Sequence, residues 1–156
     1  MGKDVSRFCF IMRRISSHLD FDIDAVKKES QENPVYYIQY AHARIWSILR
    51  HVKIRRSSAA AKFDSRLLGQ PEEIELMRLL RQFPLIVNAA STALEPYIVL
   101  QYLQDTASAF HSFYNKHRVA GDDAALAKSR LVLVDCVRIV LANGLRLLGV
   151  SLPKKM

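Results

Sequence analysis

The sequence predicts an all-α protein, a bundle of about five helices, and three observations carry that prediction. Apolar residues recur at spacings of three and four through most of the chain. Pro stands where helices begin, at Asn33-Pro34, Gln70-Pro71 and Pro96. Half of the 156 residues are hydrophobic and only five are Gly and five Pro, the composition of a compact helical domain rather than a disordered chain. Lys and Arg exceed Asp and Glu by 23 to 15, a formal charge of +8. That surplus points to an anionic partner, nucleic acid first and a membrane surface second. Cys9 and Cys136 lie far apart with no signal peptide before them, so reduced thiols in a cytoplasmic setting are expected. Arg138 and Arg146 interrupt the most apolar stretch before it reaches the about 18 residues of a spanning helix, so no membrane role is expected.

The elements follow in order. Gly2 to Arg14 sets Val5, Phe8, Cys9 and Met12 at helical spacing. LDFDID, Leu19 to Asp24, alternates apolar and acidic residues and reads as a short extended piece or turn, followed by a brief helix over Asp24 to Ser30. Asn33 then caps a helix with Pro34 in its first position, running to about Val52. Arg55 to Gly69 is a polar connector. Glu72 and Glu73 behind Pro71 mark the next start, where the helix dipole favours acids. Pro84 is expected to break or kink this helix, with a further helical stretch from Leu85 to Leu94. Pro96 opens a helix to about His117 with Val99, Leu103, Thr106, Phe110 and Phe113 inward. After the turn Val119 to Asp123, the last helix turns Leu131, Val134, Val137, Leu141, Leu145 and Leu148 inward and ends on Gly149 in a left-handed cap.

The helix NPVYYIQYAHARIWSILRH carries two stripes. At about 100° per residue, Val35, Ile38, His42, Ile45, Leu49 and Val52 share one sector and form the core face. Tyr37, Tyr40, Arg44, Ser47 and His51 share another. Such a strip serves either as a seam for a neighbouring helix or as a surface for single-stranded RNA, on which rings stack unpaired bases and Arg supplies charge and planar hydrogen bonds. Lys53, Arg55, Arg56, Lys62 and Arg66 follow against the single acid Asp64, a phosphate track or a solvated loop.

Other constellations carry no chemistry. His42 lies on the core side, where a hydrogen-bonded imidazole is expected. His111 and His117 lack Cys or carboxylate partners at metal spacing, and Asp20, Asp22 and Asp24 are followed by no glycine-bearing calcium loop. No Gly-rich phosphate loop or nucleophile arrangement occurs. No catalytic residue, metal or cofactor is therefore expected in this chain.

Three stretches resemble arginyl-tRNA synthetases. NPVYYIQYAHARI, with HLDFDID upstream, is similar to the junction where that family's catalytic domain passes into its helical anticodon-binding domain. Arg78 to Val119 resembles the middle helices, and Ala127 to Met156 the C-terminal helix with its closing Met. The class I active-site motifs, of the H-I-G-H and K-M-S-K-S types, are missing. The resemblance implies a C-terminal fragment: residues 1–32 end the catalytic and stem-contact region, and residues 33–156 form the α-helical anticodon-binding domain. It implies a cytoplasmic, monomeric parent that joins arginine to tRNA(Arg) using ATP with Mg2+, and a fragment that binds tRNA without activating arginine. It assigns Tyr37, Tyr40 and Tyr114 as aromatic contacts to the anticodon loop, Arg44 as a phosphate or base contact, and Met156 as a contact to loop backbone or base. Lys53, Arg55, Arg56, Lys62 and Arg66 take phosphates on that reading, and Arg130 is a structural residue partnered inside the bundle. The alternative is a protein-interaction module using the Tyr/Arg face.

Overall fold

The computed structural model describes residues 3–12, 33–52 and 63–156. Five α-helices follow in order: α1 (Lys3–Ile11), α2 (Pro34–His51), α3 (Pro71–Ala93), α4 (Tyr97–Lys116) and α5 (Ala124–Leu147). No strand occurs among the described residues, so the all-α expectation holds. The expected extended piece at Leu19 to Asp24 and the brief helix to Ser30 lie outside the described residues, as do Lys53, Arg55, Arg56 and Lys62.

Three of the helix starts have a local cause in a side-chain cap. The Asn33 side chain accepts from the Val35 N–H at 3.1 Å, and Pro34 has no donor to leave orphaned. Glu73 reaches back from the first turn of α3 to accept the Gln70 N–H at 2.9 Å, and Asp123 accepts from the N–H groups of Ala125 and Leu126 at the start of α5. At the other end of α5, the Val150 N–H reaches Leu145 O at 2.9 Å and the Gly149 N–H reaches Arg146 O at 3.0 Å. That double closure requires Gly149 at φ 65°, where a residue with a Cβ is strained.

Two expectations are corrected. The helix does not break at Pro84: α3 runs unbroken from Pro71 to Ala93. Pro84 stands on the exposed side, where its ring needs no place in the core and the lost helical hydrogen bond costs least. Buried Leu76, Leu79 and Ala90 hold the two halves to the core. The connector before Gly69 is also less plain than expected, because Asp64 caps a 3-10 turn at Ser65–Leu67 and Leu68 is buried.

The core forms where α2, α3, α4 and α5 meet, with Ile38, Ile45, Leu76, Leu103, Phe110, Phe113, Val134 and Leu141 all fully buried. Each such side chain contributes about 1.5–3 kcal/mol. Gly144 sets the spacing of α4 and α5, since a Cβ there would stand 2.5 Å from Leu103 Cδ2. The three residues Leu94 to Glu95 and Pro96 join α3 to α4, short enough to make them neighbours; Leu94 takes the left-handed conformation (φ 55°). Inside the bundle Arg130 Nε pairs with the fully buried Glu73 carboxylate at 2.7 Å and its Nη1 donates to Arg118 O at 2.9 Å. The structural role expected of Arg130 is the one observed.

Candidate nucleic-acid interface

The outer flank of α2 is the ridge between two open clefts. The first, about 650 Å³, is lined by Tyr40, Ala43, Arg44, Ser47, Arg50, His51, Lys155 and Met156. The second, about 690 Å³, runs from Arg44, Ser47 and His51 to Tyr114 and the segment Asn115–Ala120 at the end of α4. Arg44, Ser47 and His51 are common to both. No Asp or Glu is among the described lining residues, while Arg44, Arg50 and Lys155 face the first cleft and Arg44, Arg118 and Lys116, the last paired with Glu72, the second. Low-dielectric walls lined by one sign of charge concentrate field and attract anions.

The aromatic groups form one connected cluster. Tyr36 and Tyr40 stack with centroids 6.3 Å apart, Tyr40 stacks on His111 at 5.7 Å, and Tyr37 tilts against His111 at 4.8 Å. The Arg44 guanidinium lies 4.8 Å from the Tyr114 ring centroid, which holds its charge at the ridge and braces the ring. Tyr114 in turn stacks on buried Phe110 at 5.9 Å.

The expected contacts therefore separate. Tyr40, Arg44, Tyr114 and Met156 all line one cleft or the other. Tyr37 lines neither, and packs half-buried against the core. The reason is helical phase: Tyr37 lies only about 40° from Ala41, which is fully buried, so the core arc on this side is wider than the apolar stripe suggests. Arg66 is the one described member of the basic run. Its guanidinium is held by Asp64, with Nη2 2.9 Å from Oδ2, and it lines neither cleft.

Arg50, Lys155 and Arg118 are cleft residues that sequence reasoning missed. Arg50 carried a signal, since its place in the last turn of α2 leaves it beside the strip; the others depend on where α4 and the tail end. His111, weighed only as a metal ligand, proves to be the ring between two tyrosines, and its Nε2 is buried without a hydrogen-bond partner.

Two imidazoles give the fold a pH dependence. Burial pushes His42 below its ordinary pKa of 6.5, and its Nδ1 donates to Pro153 O at 2.9 Å. Burial, then the Arg44 charge, does the same to His111. Both groups take up protons more readily unfolded than folded, so their stability is fully present above pH 6.5 and is lost as pH falls below it. The slope is at most about 1.4 kcal/mol per pH unit for each imidazole. Melting temperatures from pH 7.5 to 5.5 should fall, and His111→Gln should flatten part of the fall; an unchanged slope would remove His111 from the account. A separate acid loss comes from Glu72, whose carboxyl is lowered from 4.5 to about 2 by Lys116 and then His117, so that its contribution is fully present above pH 4.5 and is lost as pH falls toward 2.

An open cleft of rings and cations on a helical bundle is the kind of surface a single-stranded RNA-binding domain presents. Residues 38–156 match the family model of the DALR anticodon binding domain, and the chain belongs to that family. More particularly, it is 50% identical over 158 residues to the arginine–tRNA ligase of Geobacter metallireducens and 48% identical over 158 residues to that of Desulforamulus reducens. All of this chain is covered in both matches, but it spans only 28% of the length of those curated relatives. The solved Thermus thermophilus arginyl-tRNA synthetase matches with a TM-score of 0.83 and 28% identity, over 98% of this chain and 26% of that one. No helix among the described residues is long and apolar enough to cross a membrane.

Proposed function

We propose that this chain is the tRNA-binding, C-terminal part of an arginine–tRNA ligase and receives the anticodon loop of tRNA(Arg) in the two clefts along α2. The surface around Tyr40 and Arg44, whose described lining residues include cations and no acid, carries this reading. Tyr40 offers a face to an unstacked base and Tyr114, braced by Arg44, a second. Arg50, Lys155 and Arg118 take backbone phosphates, and Met156 packs on the loop. Tyr37 serves by supporting His111 and Tyr40 from beneath rather than by touching RNA. Residues 33–156 form the anticodon domain and residues 1–32 the end of the catalytic region. The remainder of a monomeric, cytoplasmic parent supplies the active site, where ATP with Mg2+ activates arginine.

The test is binding of a tRNA(Arg) transcript across a salt series. Three phosphate contacts to single-stranded RNA give a slope of log affinity against log salt of about −2, with protection confined to the anticodon arm. Salt-insensitive association, or protection elsewhere on the tRNA, would overturn the reading. Nuclease-resistant capture of a protein partner on the Tyr/Arg face would favour an interaction module instead.

A further inference from the structure

The segment after α5 starts in the core, with Leu148 and Val150 buried and Leu152 packed against them, and ends on exposed Lys154, Lys155 and Met156. Beyond that anchorage it is tied at intervals to one side of α2. Gln39 Nε2 donates to Ser151 O at 3.1 Å. The Nδ1–H of His42, whose side chain is only 2% exposed, donates to Pro153 O at 2.9 Å. Lys154 Nζ stands 5.2 Å from the Trp46 ring centroid, and Arg50 Nη2 donates to Lys154 O at 2.9 Å. Positions 39, 42, 46 and 50 span about 80° of helix circumference, between the core face and the aromatic ridge. Three of the four ties hold backbone carbonyls of the segment or its ring-facing cation rather than reach the cleft themselves. Their result is that Lys155 and Met156 stand opposite Tyr40 and Arg44 as the far wall of the first cleft.

We propose that Gln39 and His42 are positioning residues for RNA binding: they lay the tail along α2 so that Lys155 and Met156 complete the anticodon cleft. The inference rests on the function proposed above and adds to it the device that builds one wall of the site. Neither Gln39 nor His42 lines a cleft, so neither contacts RNA. A flexible tail would present the same Lys and Met with an ordering loss on every binding event, and the ties remove that loss beforehand. His42 combines two tasks, since its ring fills a core position while its Nδ1–H holds the tail.

A double-mutant cycle separates this role from a general structural one. The probe is the isolated anticodon stem–loop of tRNA(Arg), titrated against the 156-residue chain. Gln39→Ala and His42→Leu should each weaken binding about five- to tenfold with helical circular dichroism retained. His42→Asn, which keeps an amide N–H near the place of Nδ1, should restore most of it. Trypsin should cut at Lys154 and Lys155 faster in His42→Leu than in His42→Asn. In a Lys155→Ala, Met156→Ala background, the Gln39 and His42 substitutions should change affinity less than twofold, because the wall they position no longer holds RNA. Equal losses in both backgrounds, or a Lys155→Ala, Met156→Ala chain that binds as well as the parent, would overturn the positioning role while leaving the function intact. Failure of the unaltered chain to bind the stem–loop would instead overturn the proposed function.

Discussion

Arg130→Met is expected to destabilise the protein by about 3–5 kcal/mol, because it strands a buried carboxylate. Glu73 is fully buried, with Oε1 on Arg130 Nε and Oε2 on the Gln70 N–H. Removing the guanidinium leaves the first oxygen without a donor in a low-dielectric interior, and frees Arg118 O from its tie to Arg130. Urea unfolding should show the midpoint fall with little change in slope, and the melting temperature should drop by roughly 10–15 °C. Glu73→Met together with Arg130→Met should recover part of the loss, since the pair stabilises less than its rupture destabilises. A single Arg130→Met variant within about 1 kcal/mol of the parent would show that Glu73 finds water or another donor. The substitution also has a functional arm: Arg118 lines the second cleft, so RNA affinity should fall even where the fold survives.

Tyr40→Ala carries the second large effect, on binding rather than stability. Loss of one base-stacking face is worth about 1–3 kcal/mol, which is about a five- to hundredfold weaker complex. Adding Arg44→Ala should bring the affinity close to that of unrelated RNA, because it removes the ridge cation and the brace on Tyr114 together. Tyr37→Ala should behave oppositely. Its ring packs on the core and on His111, so about 1–3 kcal/mol of stability is lost and affinity changes less than for Tyr40→Ala. Fluorescence anisotropy with the anticodon stem–loop, set beside thermal melts, distinguishes the two tyrosines. If Tyr37→Ala weakened RNA binding more than Tyr40→Ala at unchanged stability, the division of labour between them would be wrong.

Much of the architecture was legible along the chain because the signals are local. Asn33-Pro34, Gln70-Pro71 and Gly149 act through dihedral angles and hydrogen bonds spanning a few residues, and each stands where it was expected. The inner stripes of α4 and α5 were equally readable, since a stripe needs only the helical period. Pro84 misled because its local penalty is small beside the burial of the apolar residues on either side of it.

The candidate site divides along the same line. Sequence alone determined that α2 carries a second, aromatic and basic strip, that Arg44 belongs to it, and that the chain resembles an anticodon-binding family. Tertiary structure alone decided which members of that strip reach a cleft. Tyr37 and Tyr40 are three residues apart with the same chemistry and both rings meet His111 of α4, yet only Tyr40 also lines a cleft. The same holds for Lys155 and Met156, whose place opposite Arg44 depends on hydrogen bonds to side chains more than a hundred positions earlier. Helical periodicity fixes direction about one axis, and only the packing of several axes together determines which directions meet solvent.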